Sequence, residues 1–600
     1  MKAKSRRSGP QPGGRAGDRS APETKPAGKS GKSSPAAPSR PWLPYMLAAL
    51  VAAALTLWVY EPSMYGPFLF DDTYLKFALP GADSPLRDWI HGVRPLLMAS
   101  YWLSARMAGD TTYAYHFGNL LIHLAAGGLV GLILRRLLEW ADVADPKRTW
   151  MAAFGAVLYL LHPLNSEAVA YLAGRSESLS TAFTLAAYAV FLYRPKAAVS
   201  WQVAAAGFLL FGAALLTKEQ TLVLPALLLL TDFWWNPASP EKDFSFQGIR
   251  ANWRLYAPLV LAAGGGLYLF RNLIVAGNNA GFGLKDFTWY QYFFTECRAL
   301  FVYVLEFVCP AWLNIDWHFP ISHSLFEHGA ILGLAAWLAL LGAAWFLRRR
   351  FRLASFGLLV YLLMMAPTSS ILPIADAVAE RRAYFSMLGL LLILLELLVR
   401  ARLAPRTLGI LCALVLIAAA AVTHARAALY GDEVALWTDT VRKAPSNYRA
   451  HFQLGQAEED QNRCDLAAEE FQKAAAIGGL SYDLLVDWGL AYDCLNRAEQ
   501  AIEKLRQAAA MEPSAHVYTQ IAFVYAKRNE FPQALDALRI AEQIDPNYAG
   551  TYVYRGKIRL KLGQPQAAAD DFRTALTFDP NNQEAREALA MVERSLRARP

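Results

Sequence analysis

The sequence predicts an all-α protein in two parts: a polytopic membrane helical bundle of about eleven spans, then an α-solenoid of repeated helix pairs. Three observations predict it. Hydrophobic residues make up 55% of the 600-residue chain and charged residues only 18%, a balance too apolar for an ordinary soluble domain. Apolar runs with few or no charges, the longer of them able to cross a hydrocarbon core of roughly 30 Å, recur as far as residue 423 and then stop. Beyond residue 431, small and large apolar residues recur with a period near 34, the spacing of stacked helix–turn–helix units.

The first candidate span, Leu43–Tyr60, holds eighteen residues without a formal charge. Comparable runs at 117–134, 150–161, 179–193, 199–217, 220–235, 255–270, 329–347, 353–372, 383–399 and 407–423 bring the total to eleven. Eleven crossings place Arg135-Arg136 with Lys147-Arg148, Arg194 with Lys196, Arg250 with Arg254, Arg348 to Arg352 and Arg400 to Arg406 on the cytoplasmic side, as the bias of Lys and Arg toward cytoplasmic loops requires. Counting 95–108 or 290–313 as a further crossing would move the later Arg clusters outside, so both read as interfacial or partly inserted elements.

Residues 1–40 carry ten Lys or Arg against two acids and are rich in Pro, Gly and Ser, the composition of a disordered tail. Next to a span, such a tail signals cytoplasmic retention rather than nucleic-acid binding. The expected organisation is therefore a tail at 1–40, a membrane domain at 41–425 and a repeat domain at 426–600. No short apolar segment ending in a small-residue cleavage site precedes the first span.

In the last part Ala467, Phe471 and Ala474 are echoed by Ala501, Leu505 and Ala508, by Ala534, Leu538 and Ala541, and by Ala568, Phe572 and Ala575. Pro513, Pro546 and Pro580 follow, 33 and 34 residues apart. Small residues let paired helices approach, and proline ends the second helix of each pair. This is the tetratricopeptide pattern: about four repeats, a leading helix at 431–443 and a polar capping helix at 583–597. Such stacks bind extended peptides or partner proteins; a plain spacer is the bland alternative. Cys297, Cys309 and Cys412 read as inert thiols in apolar surroundings. Cys464 and Cys494 fall near corresponding turns of adjacent repeats, where an oxidising compartment would allow pairing, although two free thiols are the first expectation.

Candidate chemistry lies in the polar groups beside the spans, which are costly there and point to function. Foremost is GPFLFDDTY, residues 66–74, whose adjacent Asp71 and Asp72 follow the first span. The same face collects Arg94, His116, HPLNSEAVAYLAGRSESL from His162, TKEQ from Thr217, Arg271, LNIDW around Asp316, and AERRAYFS from Ala379. Carboxylates can take a proton from a hydroxyl, and Arg, Lys and His can hold a departing phosphate. A lipid-phosphate donor would explain machinery at a membrane rim, and the chain shows no nucleotide-binding glycine loop after a strand. Each residue has a plainer role too: a satisfied buried His, a snorkelling Arg94 or Arg271, or Lys218-Glu219 as an ion pair closing a helix end. An acidic pair can hold a divalent cation, but no further acids stand at ligand spacing, so no metal site is assigned.

The motifs FLFDDTY, VRPLLMASYWL, YHFGNLLIH, HPLNSEAVAYLAGRSESLS, LLTKEQ, CPAWLNIDW and AERRAYFSMLG, in this order and followed by the repeats, resemble those of the transmembrane and tetratricopeptide-repeat (TMTC) O-mannosyltransferases, within the GT-C class of membrane glycosyltransferases. The resemblance covers residues 42 to about 595. It implies a GT-C-like bundle that transfers a sugar from a polyprenyl-phosphate carrier to protein Ser/Thr hydroxyls with inversion, on the non-cytoplasmic side. Asp71 and Asp72 would supply the base. Arg94, His116, His162, Glu167, Arg175, Lys218, Glu219, Arg271, Asp316, Glu380, Arg381 and Tyr384 would line the carrier-phosphate and sugar pocket. The lipid-linked sugar phosphate is the donor substrate, no cofactor is assigned while a divalent metal stays open, and the repeats would bind the acceptor protein. The repeat array is short for that family. The alanine-rich composition suggests a bacterial inner membrane with a periplasmic repeat domain, the endoplasmic reticulum being the alternative. Other readings are a non-catalytic scaffold recruiting envelope proteins and a lipid-linked oligosaccharide transferase.

Overall fold

The computed structural model describes residues 43–79, 82–108, 111–236, 244–276 and 281–597; the basic tail lies outside them. No strand occurs among the described residues.

The bundle contains helices α1 (Leu43–Tyr60), α2 (Pro95–Ala108), α3 (Tyr113–Trp140), α4 (Lys147–Leu161), α5 (Ser166–Ala170), α6 (Arg175–Leu192), α7 (Trp201–Leu215) and α8 (Leu224–Trp235). It continues through α9 (Gln247–Ala251), α10 (Trp253–Ala276), α11 (Trp289–Val308), α12 (Ala330–Leu347), α13 (Arg352–Met365), α14 (Arg381–Arg400) and α15 (Pro405–Leu429). All eleven apolar runs fall on helices. Five segments are long and apolar enough to cross a bilayer by length and composition among the described residues: Met46–Ser63, Tyr113–Trp140, Glu327–Leu347, Arg381–Arg400 and Pro405–Leu429. The other six runs form shorter or more polar helices. At 14 residues, α13 rises about 21 Å, less than a hydrocarbon core, and the run expected to continue to residue 372 leaves the helix after Met365. Non-helical backbone is tolerated at such depth only where protein covers it. His162 to Leu172, which follows α4, is buried throughout.

Helix α14 is the centre of the bundle, buried at Leu388, Leu391, Leu392 and Leu395. It lies against α13 at Gly357 and Gly389. A Cβ on Gly389 would sit 2.5 Å from the carbonyl oxygen of Gly357, so only glycine permits this crossing, a small-residue contact of the kind that packs helices in lipid. Helix α11, the expected interfacial element, buries one face through Tyr292, Thr295, Tyr303 and Glu306. The basic residues gather at one end of the bundle: Arg136 donates to Leu192 O, Arg194 pairs with Asp232, Lys147 donates to Val399 O, and Arg352 lies over Trp235.

The solenoid begins with α16 (Glu433–Lys443), N-capped by Asp432. Four helix pairs follow: α17 (Tyr448–Asp460) with α18 (Cys464–Gly478), α19 (Tyr482–Cys494) with α20 (Ala498–Met511), α21 (Ala515–Lys527) with α22 (Phe531–Ile544), and α23 (Ala549–Lys561) with α24 (Pro565–Phe578). The amphipathic α25 (Gln583–Arg597) closes the stack. The repeat positions Ala467, Ala501, Ala534 and Ala568 are fully buried between the paired helices.

Cys464 and Cys494 form a disulfide, with Cα atoms 6.1 Å apart. This corrects the expectation of two free thiols: stacking brings the start of α18 to the end of α19, a proximity that sequence separation hides. Cys309, expected to be buried, is exposed just past the end of α11. Replacing both Cys464 and Cys494 with Ser should lower solenoid stability by about 2–4 kcal/mol, read as an earlier denaturant midpoint than oxidised wild type.

Candidate active site

The acidic pair lies on a short 3-10 turn, Phe70–Tyr74, and its two members face different surroundings. Asp72 is buried. Its Oδ2 accepts from Leu69 N at 3.1 Å and its Oδ1 from Ala173 N at 2.7 Å. One carboxyl group thus closes its own turn and fastens that turn to the segment following α5. Burial pushes the Asp72 carboxyl up to about 8, against the opposing effect of those backbone donors. Asp71 is exposed, and its carboxylate accepts no hydrogen bond from the described chain. Its backbone N–H donates to the Tyr171 hydroxyl at 2.9 Å. The receiving segment is itself held tightly: a Cβ on Gly174 would sit 2.6 Å from the carbonyl oxygen of Glu167.

Two ion-pair clusters are connected to this turn through tyrosines. In the first, Arg94 grips Glu219 through two N–H groups, at 2.6 and 3.1 Å, and Lys218 pairs with the buried Glu177, which also accepts from Gln220. Lys218 and Glu219 therefore do not pair with each other. Burial lowers the Lys218 ammonium from its ordinary range, in spite of Glu177. The cluster's nearest link to the acids is Tyr101, whose hydroxyl donates to Leu172 O at 2.8 Å and which lies within the fields of Arg94 and Asp72. In the second cluster, Arg381 pairs with the buried Glu167, whose other oxygen accepts Arg381 N at 2.8 Å. Asp376 lies 3.7 Å from the same guanidinium. Burial raises the Tyr171 hydroxyl well above its usual range, and the charges of Asp72, Asp71 and Arg381 all reach it. Tyr171 thus links Asp71 to the Arg381 cluster and Tyr101 links Asp72 to the Arg94 cluster, and the cations of both clusters are paired with carboxylates.

Several expected pocket residues serve the fold instead. Arg175 is buried and spends its guanidinium on Asn119 Oδ1, Ser100 O, Ser104 Oγ and Tyr115 O, with Tyr101 4.5 Å from its carbon; few donors remain for a ligand. His162 accepts from Leu164 N and donates to Phe307 O at 3.0 Å, so both ring nitrogens are engaged. His116 meets Gly66 O at 3.3 Å, while its Nδ1 is buried without a partner. Tyr384 is enclosed in the bundle against His123, 2.9 Å away. Glu380 is buried and accepts from Asn314 N and Arg426. Arg271 is exposed, donates to Tyr268 O at 2.9 Å and lies over its own neighbour's ring, joining neither cluster. Asp316 receives Arg449 and Asn447 of the first repeat, so it anchors the solenoid rather than lining the pocket.

Sequence reasoning missed Tyr171, Glu177, Asp376 and Glu306. Tyr171 lies inside a quoted motif but carries no signal beyond being aromatic. Glu306 is buried next to Glu380 with neither oxygen bonded, and burial, with the charge of Glu380, raises its carboxyl well above the usual carboxylate range. Among the described residues, no group of three His, Cys, Asp or Glu gathers as a metal site.

Asp72→Ala leaves two buried N–H groups unsatisfied and should cost about 3 kcal/mol or more. For wild type, the buried acid keeps its proton while the unfolded chain loses one, so stability falls as pH rises from about 4 toward 8. The wild-type advantage over Asp72→Asn should therefore shrink between pH 5 and pH 8 in thermal melts of the detergent-solubilised protein.

The tetratricopeptide-repeat family model matches residues 549–582, the fourth helix pair. Protein O-mannosyl-transferase TMTC3 of Homo sapiens is 22% identical over 555 residues, covering 84% of this chain and 59% of that protein. Protein O-mannosyl-transferase Tmtc1 of Drosophila melanogaster is 37% identical over 136 residues, or 23% of this chain and 15% of that one. The crystal structure of MamA, 22% identical, overlays 24% of this chain and 86% of its own with a TM-score of 0.22. The chain spans about three-fifths of the length of the first relatives it matches. Over bundle and repeats alike, this chain is similar to proteins named as transmembrane and tetratricopeptide-repeat O-mannosyltransferases.

Proposed function

We propose that the chain is an inverting protein O-glycosyltransferase that takes a sugar, mannose by analogy with its relatives' names, from a polyprenyl-phosphate carrier. The observation that carries this reading is the split of the acidic pair: Asp72 is buried and bonded to backbone, while Asp71 presents an exposed carboxylate and is fixed by its backbone N–H to Tyr171.

In this mechanism Asp71 accepts the proton of an acceptor Ser or Thr hydroxyl as that oxygen attacks the anomeric carbon. The bond from the anomeric carbon to the phosphate oxygen breaks on the opposite face, so configuration inverts. The electron pair leaves on polyprenyl phosphate. Arg94, Lys218 and Arg381 are the cations placed to offset the growing charge, Arg94 and Arg381 through N–H groups their carboxylate partners leave unused. Asp72 takes no proton from substrate; it holds the turn.

The disulfide supports an oxidising, non-cytoplasmic compartment for the repeats, the periplasm or the lumen of the endoplasmic reticulum. Because the first loop contacts the repeats, the acids share that compartment. Residues of the solenoid would engage the acceptor protein.

Asp71→Asn should lower transfer from a polyprenyl-phosphate sugar to an acceptor peptide by at least about 100-fold, with an unchanged melting profile. Full activity in that variant removes the enzymatic reading. Arg94→Gln should lower kcat with a smaller change in acceptor KM, measured in the same assay.

A further inference from the structure

The repeats do more than hang beside the bundle. Phe70, directly before Asp71, has a φ of 46°, the left-handed region that costs a residue with a side chain about 1–2 kcal/mol. Such a conformation persists only where its surroundings hold it. Two residues on the ring of Phe70 come from the start of the solenoid. Trp437 of α16 meets it edge to face at 5.7 Å, and the guanidinium carbon of Arg449 in α17 lies 5.3 Å from its centre.

Arg449 is fixed in turn by the bundle. It donates from Nε to Asp316 Oδ2 at 2.8 Å and from Nη2 to Asp376 Oδ1 at 2.8 Å, and Asn447 adds a bond to Asp316 at 3.0 Å. Asp376 faces Arg381, and Arg381 pairs with Glu167. Charges thus alternate from Asp316 through Arg449, Asp376 and Arg381 to Glu167. One arginine of the repeat domain touches both sides of the acidic turn: the ring that orients Asp71, and the carboxylate that orients the cation next to it.

Resting on the proposed glycosyl transfer, we propose that Trp437 and Arg449 are positioning residues of the reaction, and that the first helix of the solenoid and its neighbour complete the active site. They act through Phe70 and Asp376 and touch no reacting atom. This role differs from acceptor capture, because it applies to every acceptor, including one too short to reach the repeats.

The test uses the full chain, a polyprenyl-phosphate sugar and a short Ser/Thr peptide. Arg449→Ala and Phe70→Ala should each lower kcat about tenfold or more with little change in KM for either substrate. The double variant should be no slower than the worse single one, because both changes break one chain of contacts. Arg449→Lys and Trp437→Phe, which keep a charge and a ring, should recover part of the rate, and they carry the test if the alanine variants fail to fold. Wild-type kcat in Arg449→Ala, a rise confined to acceptor KM, or fully additive losses in the double variant would each overturn the proposal. Asp71→Asn, run alongside, separates the outcomes: if it is inactive while Arg449→Ala is not, only the positioning role falls.

Discussion

A bilayer supplies no water, so a buried polar group in the bundle is costly unless it finds a partner inside the chain. That constraint orders the acidic end of the molecule. Arg175, His162 and Asp72 carry groups that would be costly unpaired, and each is bound to backbone or side chains from other helices. Arg94, Lys218 and Arg381 have carboxylate partners. Once these demands are met, Asp71 is the acid of the pair that remains exposed. Its availability is a property of the whole network, because the same turn buries its neighbour.

The network also explains how the two halves of the chain join. Asp316 and Asp376 lie on segments that link bundle helices and would be left with excess negative charge by the bundle alone. Arg449 supplies the balancing cation from the first repeat, and Lys443 donates to Leu313 O at 2.6 Å. The junction is thus an ionic contact with a geometry of its own rather than a loose tether.

Much of the fold is legible in the sequence, for a physical reason. Apolar length reports a helix in lipid, and the recurring Ala and Pro positions report a stack whose neighbours all make the same contact. The run at 353–372 misleads because apolar content cannot distinguish a helix from a covered turn, and the chain turns after Met365. The candidate site is less legible. The motifs mark which polar groups lie beside the spans, yet they cannot say which charged group is consumed by the fold. Arg94 and Arg175 look alike as letters; one is partly open beside a single glutamate, the other enclosed by four acceptors. Nor can they show that Asp316 belongs to an interface, since its partner lies 133 residues further along.

The bond between Cys464 and Cys494 has a mechanical consequence. Repeat arrays bend by small rotations at each junction, and this one is riveted across the junction between its first and second helix pairs. The more distal junctions carry no such link among the described residues. Curvature next to the acidic turn is therefore fixed, and compliance is left to the distal repeats, which can flex like the tip of a cantilever while its root stays still.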